Sequence, residues 1–232
     1  MEITEELKKL LTNPFEGLEA NNASDFKDEC AKIARELFNN HCILCGEKKY
    51  YFAEIEFYYY DKDRWNKKWN EKTYPRDNKY TGDFFFHYSG VDICFKSKFD
   101  EGKFGGILIR SLKDEGHFIT GPSVCMLEIL NTCFEQKTIP ELKKIKKEEC
   151  KLSKNPAARY GITYKSDNIT CKEKDIKDIP SLCFYDQALF DKYTGEKNKE
   201  TFKNATWDYS WKRKKDINRY YHRFDDKNEN NK

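Results

Sequence analysis

The segment YFAEIEFYYYD, Tyr51 to Asp61, constrains this chain more than any other. As a strand it sends Ala53, Ile55, Phe57 and Tyr59 to one face and Glu54, Glu56 and Tyr58 to the other, because successive side chains leave a strand on opposite sides. Two readings of the second face follow. Two carboxylates beside a tyrosine form the polar outer face of a half-exposed antiparallel strand, or they supply a catalytic acid on a rigid element next to a ring that stacks on a substrate.

The strand sits in a chain of 232 residues with 38% hydrophobic content, long enough for one sizeable core and too apolar for wholesale disorder. Aromatics reach 16%, so much of the apolar content is flat ring, which packs cores and also stacks on bases. A net charge of +3 does not by itself announce a nucleic-acid protein; the footprint must come from local clustering. No run approaches the roughly 18 apolar residues that span a bilayer. The N-terminus, MEITEELKKLL, is acidic and amphipathic where a signal peptide is basic and then apolar. These features predict a soluble, cytoplasmic, monomeric protein with no membrane partner. Nine scattered cysteines fit reduced thiols better than a disulfide framework.

Along the chain, residues 3 to 12 predict a short amphipathic helix stopped by Asn13-Pro14. Ser24 is placed to cap a second, in which Phe26, Cys30, Ile33, Ala34, Leu37 and Phe38 recur at helical spacing. His41 to Cys45, a turn at residues 46–49 and the aromatic strand predict a hairpin. Asp83 to Phe95 and Gly106 to Leu112 read as further strands, with glycines 102, 105 and 106 marking the turn between them. Gly121-Pro122-Ser123 opens a helix through Val124, Leu127, Ile129 and Leu130. The run KKIKKEECKLSKN reads as a solvated helix face, residues 159–164 and 181–190 as ordered again, and residues 225–232 as a flexible tail after a single domain spanning 1–224.

Loud chemical motifs are missing from the sequence. Cys42-x-x-Cys45 has no second pair to complete a zinc site, the four histidines lack metal-ligand spacing, and there is no phosphate-binding glycine loop. No metal and no cofactor is expected. Two segments, however, interleave cations with rings. Residues 58–80 hold seven Lys or Arg and seven Tyr or Trp against four acids, and residues 206–224 hold six and six against two. Cations along a groove with rings nearby suit nucleic acid, which makes Lys67, Lys68, Arg76, Lys212 and Arg213 candidates for the DNA backbone. The competing reading has the lysines keeping loops soluble while Trp65, Trp69, Trp207 and Trp211 pack inward.

The order AKIARELFNNHCIL, AEIEFY, GDFFFHYSGVDICF, GGILIRSL, GPSVCMLEIL, over roughly residues 27 to 131, resembles the alkyladenine (methylpurine) DNA glycosylase family. The resemblance implies an α+β single domain with a curved, mainly antiparallel sheet flanked by helices. It also implies excision of a damaged or modified base from double-stranded DNA, with the protein nucleoid-associated when bound. Glu56 resembles the family's water-activating glutamate, Tyr58 the ring that stacks on the extruded base, and Arg110 the arginine beside the catalytic water. His87 falls where the family has a second stacking tyrosine, with Phe85 two residues before it. The intercalating tyrosine aligns near Ser89, with Tyr88 one step away, and an asparagine that rejects unwanted purines falls near Lys96. The histidine that follows the first tyrosine has no counterpart.

On this reading His87 and Asp92 stand where the family places rings, which suits a more polar or bulkier base. No lysine is placed for a Schiff base, so the product is an abasic site without strand cleavage, made in repair or in defence against modified phage DNA. The alternatives are a nucleic-acid-binding module that keeps the fold and buries Glu56 against Arg110 without catalysis, and a protein-interaction domain whose rings are structural.

Overall fold

The fold grows outward from the aromatic strand. In the computed structural model, which describes residues 3–15, 23–62, 73, 75, 81–114, 118–146, 156–160 and 182–186, β1 (His41–Cys45) turns at Gly46-Glu47 into β2 (Lys48–Asp61). Gly46 takes a φ of 61° there, a conformation that costs glycine little. β2 then pairs along most of its length with β5 (Lys103–Lys113), from Tyr51 opposite Lys113 to Asp61 opposite Lys103. Every other described strand hangs on this seam.

On the β5 side lie β4 (Gly90–Cys94), β3 (Phe84–His87) and, further along, β6 (Phe118–Thr120). On the β2 side lie β1 with β7 (Glu141–Lys144), and then β9 (Leu182–Tyr185) with β8 (Ala157–Tyr160). Among the described residues the result is one curled antiparallel sheet of nine strands with three α-helices, an α+β single domain. Every described pairing is antiparallel, as hairpin connections favour.

α1 (Glu5–Thr12) starts where the Thr4 side chain accepts from the Leu7 N–H, an N-cap that satisfies one of the orphan donors of the first turn. Its Leu7 and Leu11 join Phe26, Cys30, Ile33, Ala34, Leu37 and Phe38 of α2 (Ala23–Asn40) in a core that takes Ile55, Phe57 and Tyr59 from β2. Phe15 meets Tyr59 edge-on, with ring centroids 4.7 Å apart. α3 (Pro122–Glu135) lies on the opposite face: Pro122 and Leu108 both border Gly90, where a Cβ would come within 2.9 Å of each.

That third helix decides between the two readings of the strand. Ala53 through Phe57 are all buried, carboxylates included, so β2 is not half-exposed. It is central in the sheet and covered from both sides.

Other expectations need correction. The single strand over residues 83–95 is a hairpin, β3 and β4, reversed through Tyr88-Ser89; a period-two pattern reads the same through so tight a reversal. Of the three glycines, only Gly102, at φ 63°, makes a turn, while Gly105 and Gly106 lie inside β5. The first two residues of the expected charged helix face, Lys143 and Lys144, are the end of strand β7, in which Leu142 is buried. α2 begins at Ala23, one residue before the expected cap. Of the apolar residues read into α3, Ile129 is buried, with Cys125, Thr132 and Cys133 beside it, whereas Leu127 and Leu130 are exposed. No described helix is long and apolar enough to cross a membrane.

Candidate functional site

The carboxylate face is organised by register. Directly paired residues project to the same side of a sheet. Phe85 opposite Asp92, Asp92 opposite Leu108, Leu108 opposite Glu56 and Glu56 opposite Cys183 therefore form one row across β3, β4, β5, β2 and β9. Arg110 projects to this side two residues beyond Leu108. Tyr58 does so two residues beyond Glu56, opposite Gly106, whose missing side chain leaves room for the ring.

Both central strands change neighbours at one level. β2 leaves β1 after Tyr51 and takes up β9 at Glu54; β5 leaves β4 after Leu108 and takes up β6 at Ser111. The β2–β5 ladder is irregular at that level, where Glu54 sits opposite Ser111 before the register resumes at Ile55 opposite Ile109. The freed backbone finds other partners: the Arg110 carbonyl accepts from the Gly121 N–H at 2.8 Å, and the Ala53 carbonyl accepts from the Asp186 N–H at 2.8 Å.

A buried charge cluster fills this split. Glu56 is 1% exposed and accepts at Oε2 from Arg110 Nη1 at 2.5 Å. Arg110, 9% exposed, directs Nε toward Glu54 Oε1 at 3.4 Å, while Ser111 Oγ donates to Glu54 Oε2 at 3.4 Å. One guanidinium thus lies between two carboxylates. Such a cluster is costly to desolvate and is held only by good geometry. Arginine suits it because its planar fork serves two acceptors at once.

The Tyr58 hydroxyl lies in the field of the same groups. Burial, then the Glu56 charge, push its pKa up, with Cys183 and Asp92 adding to the rise and Arg110 opposing it. The phenol therefore stays neutral and keeps its proton. At the other end of the row, His87 Nε2 is 3.5 Å from the Asp92 oxygen Oδ1, His87 Nδ1 is 3.1 Å from Ser89 Oγ, and the His87 ring stacks on Phe85 with centroids 6.0 Å apart. Tyr88, at the tip of that hairpin, is 92% exposed. Ser123 Oγ, in the first turn of α3, donates to the Ser89 carbonyl at 3.3 Å and ties the tip to the helix.

Glu56, Arg110, Tyr58, Phe85, His87 and Asp92 therefore share one face, with Tyr88 at its rim. Lys67, Lys68, Arg76, Lys212, Arg213, the four tryptophans and the tail from residue 225 lie outside the described residues. Glu54, Ser111 and Cys183 also belong to the cluster. Glu54 was legible as a member of the same face of β2, whereas nothing local in the sequence brings Cys183 to Glu56. Cys42 and Cys45 are both fully buried as small core residues, and among the described residues no group of three or more potential ligands could hold a metal ion. No protein-family model, curated protein or solved structure matches this chain.

Proposed function

We propose that this chain is a monofunctional DNA glycosylase of the methylpurine-glycosylase type, which rotates a modified or damaged base out of double-stranded DNA and hydrolyses its bond to deoxyribose. The observation that carries the reading is the buried pair of Glu56 and Arg110, fixed at 2.5 Å on the same sheet face as Tyr58. Extrusion costs a few kcal/mol, least where pairing is already weak. Tyr58, a flat ring two residues from Glu56, takes the base's face. Glu56 draws a proton from water as that water attacks the anomeric carbon, and its charge also stabilises the cation-like sugar. Arg110 holds the carboxylate in place and meets the backbone of the extruded nucleotide. Tyr88, carried on a two-residue turn, fills the gap left in the duplex. No metal or cofactor takes part, and the product is an abasic site in an unbroken strand.

Glu56→Gln keeps the shape of the side chain and removes its basicity. The variant is expected to bind modified duplex as the parent does and to release base about a hundredfold to ten-thousandfold more slowly. Mass spectrometry of released base, with a binding titration beside it, measures both; undiminished release rules out Glu56 as the base. The second reading, a nucleic-acid-binding module, is favoured by one observation, that Arg110 is already engaged by two carboxylates as a structural ion pair would be. DNA affinity with no release from any modified duplex selects it.

A further inference from the structure

A recess of about 280 Å³ opens on the side of the sheet away from Glu56. Its floor is the end of β2, where Tyr59 and Asp61 project, by strand alternation, to the face opposite Glu56 and Tyr58. One wall is the end of α1 with the turn that follows it, Thr12 to Phe15, and the other is the segment from Lys96 to Lys103. The Lys96 N–H donates to the Leu11 carbonyl at 2.9 Å and ties the two walls together. Phe15 holds a φ of 61°, uncommon for a bulky residue, with its ring against Tyr59.

Two kinds of charge meet in this recess. Lys96, Lys98 and Lys103 bring three ammonium groups to it. Glu101 answers two of them, with Oε2 2.7 Å from Lys103 Nζ and Oε1 4.0 Å from Lys98 Nζ. Lys96 is exposed and has no side-chain partner among the described residues. Asp61, by contrast, is 1% exposed and lies opposite Lys103 in register. Cations therefore stand at the open side and a carboxylate at the floor.

An occupant that satisfies both ends carries an anion outward and hydroxyl donors inward. Phosphate suits the lysines, which serve it as point charges. A carboxylate only accepts, so Asp61 takes a hydroxyl and repels a second anion. Bare phosphate leaves Asp61 unanswered and most of the volume empty. A DNA duplex is far wider than the recess and touches only the lysines at its mouth. The volume is at the small end for a ligand pocket and suits a metabolite of one ring.

We propose that this recess is a ligand site, separated by the sheet from the Glu56 face, for a small hydroxylated phosphomonoester of the sugar-phosphate kind, with its phosphate on Lys96, Lys98 and Lys103 and a hydroxyl turned to Asp61. The site does not depend on whether Glu56 hydrolyses a glycosidic bond.

The test is isothermal titration calorimetry of the full chain at low ionic strength with ribose 5-phosphate, ribose and methyl phosphate. Ribose 5-phosphate is expected to bind saturably, one per chain. Methyl phosphate, which lacks the hydroxyls, and ribose, which lacks the anion, are each expected to bind about tenfold more weakly or worse, since a hydrogen bond to a charged group is lost in either case. Lys96→Gln, a change at an exposed side chain, is expected to weaken ribose 5-phosphate by about tenfold with the circular dichroism spectrum unchanged. No binding of ribose 5-phosphate, equal binding of methyl phosphate or ribose, or an unchanged affinity in Lys96→Gln overturns the proposal. Fluorescence anisotropy with a duplex separates the other source of phosphate: if Lys96→Gln weakens the duplex and leaves ribose 5-phosphate unchanged, the lysines belong to a nucleic-acid surface and the proposal fails. If Lys96→Gln does not fold, Lys98→Gln takes its place with the same two outcomes. Base release plays no part in these readouts, so they stand apart from the Glu56→Gln experiment.

Discussion

Replacing Arg110 by methionine removes one positive charge from between Glu54 and Glu56 and leaves two buried carboxylates facing each other. Breaking a buried ion pair from one side costs about 3–5 kcal/mol, and urea denaturation of Arg110→Met is expected to show a loss of that size. A second residue carries a pH signature. His41 is fully buried, its Nε2 accepts from the Thr4 N–H at 3.2 Å, and its Nδ1–H donates to the Glu36 carbonyl at 3.1 Å. Burial lowers its pKa from the usual 6.5. The unfolded chain therefore takes up the proton first, so stability is full above pH 6.5 and declines as pH falls below that value. Thermal melts across that range are expected to show the decline, and His41→Gln to flatten it. Neither feature was fully legible in the sequence. Alternation gave the shared face of Glu54 and Glu56 but not which carboxylate would take the guanidinium. The His41 staple depends on Thr4, a residue 37 positions away.

At the scale of elements, local pattern spoke clearly where a strand or helix has one apolar face. α2 is the example, since Phe26, Cys30, Ile33, Ala34, Leu37 and Phe38 are all buried as their spacing implies. The pattern failed where an element is covered on both sides or reversed within two residues. β2 has no exposed face for alternation to reveal, and the β3–β4 hairpin keeps its period through Tyr88-Ser89. The glycines of β5 misled for a physical reason: Gly105 is required by close approach to β2 rather than by a turn. A Cβ there would press on the Tyr58 carbonyl oxygen and lie 2.9 Å from Tyr59 Cα. Gly105→Ala forces the two backbones apart and is expected to cost about 1–3 kcal/mol, read as a lower urea midpoint with an unchanged slope.

Across the whole molecule, strand order was the least legible property, because it is set by encounters between distant segments. β9 reaches β2 from more than a hundred residues away, and no local signal in LCFY says so. The exposed side chains of α3 were equally hidden: Phe134 is 87% exposed, and Ile139 beyond it is also largely uncovered. Phe134→Ser is expected to change stability by no more than about 0.5 kcal/mol, and to reduce any concentration-dependent self-association seen by analytical ultracentrifugation, since exposed apolar side chains drive such contacts. The β2–β5 seam has a further meaning. Glu56 and Arg110 are 54 positions apart in the chain and meet only when that ladder has zipped in its final register. A nascent or partly assembled molecule, whatever else it has formed, holds no oriented carboxylate, so the charge cluster exists only in the finished fold.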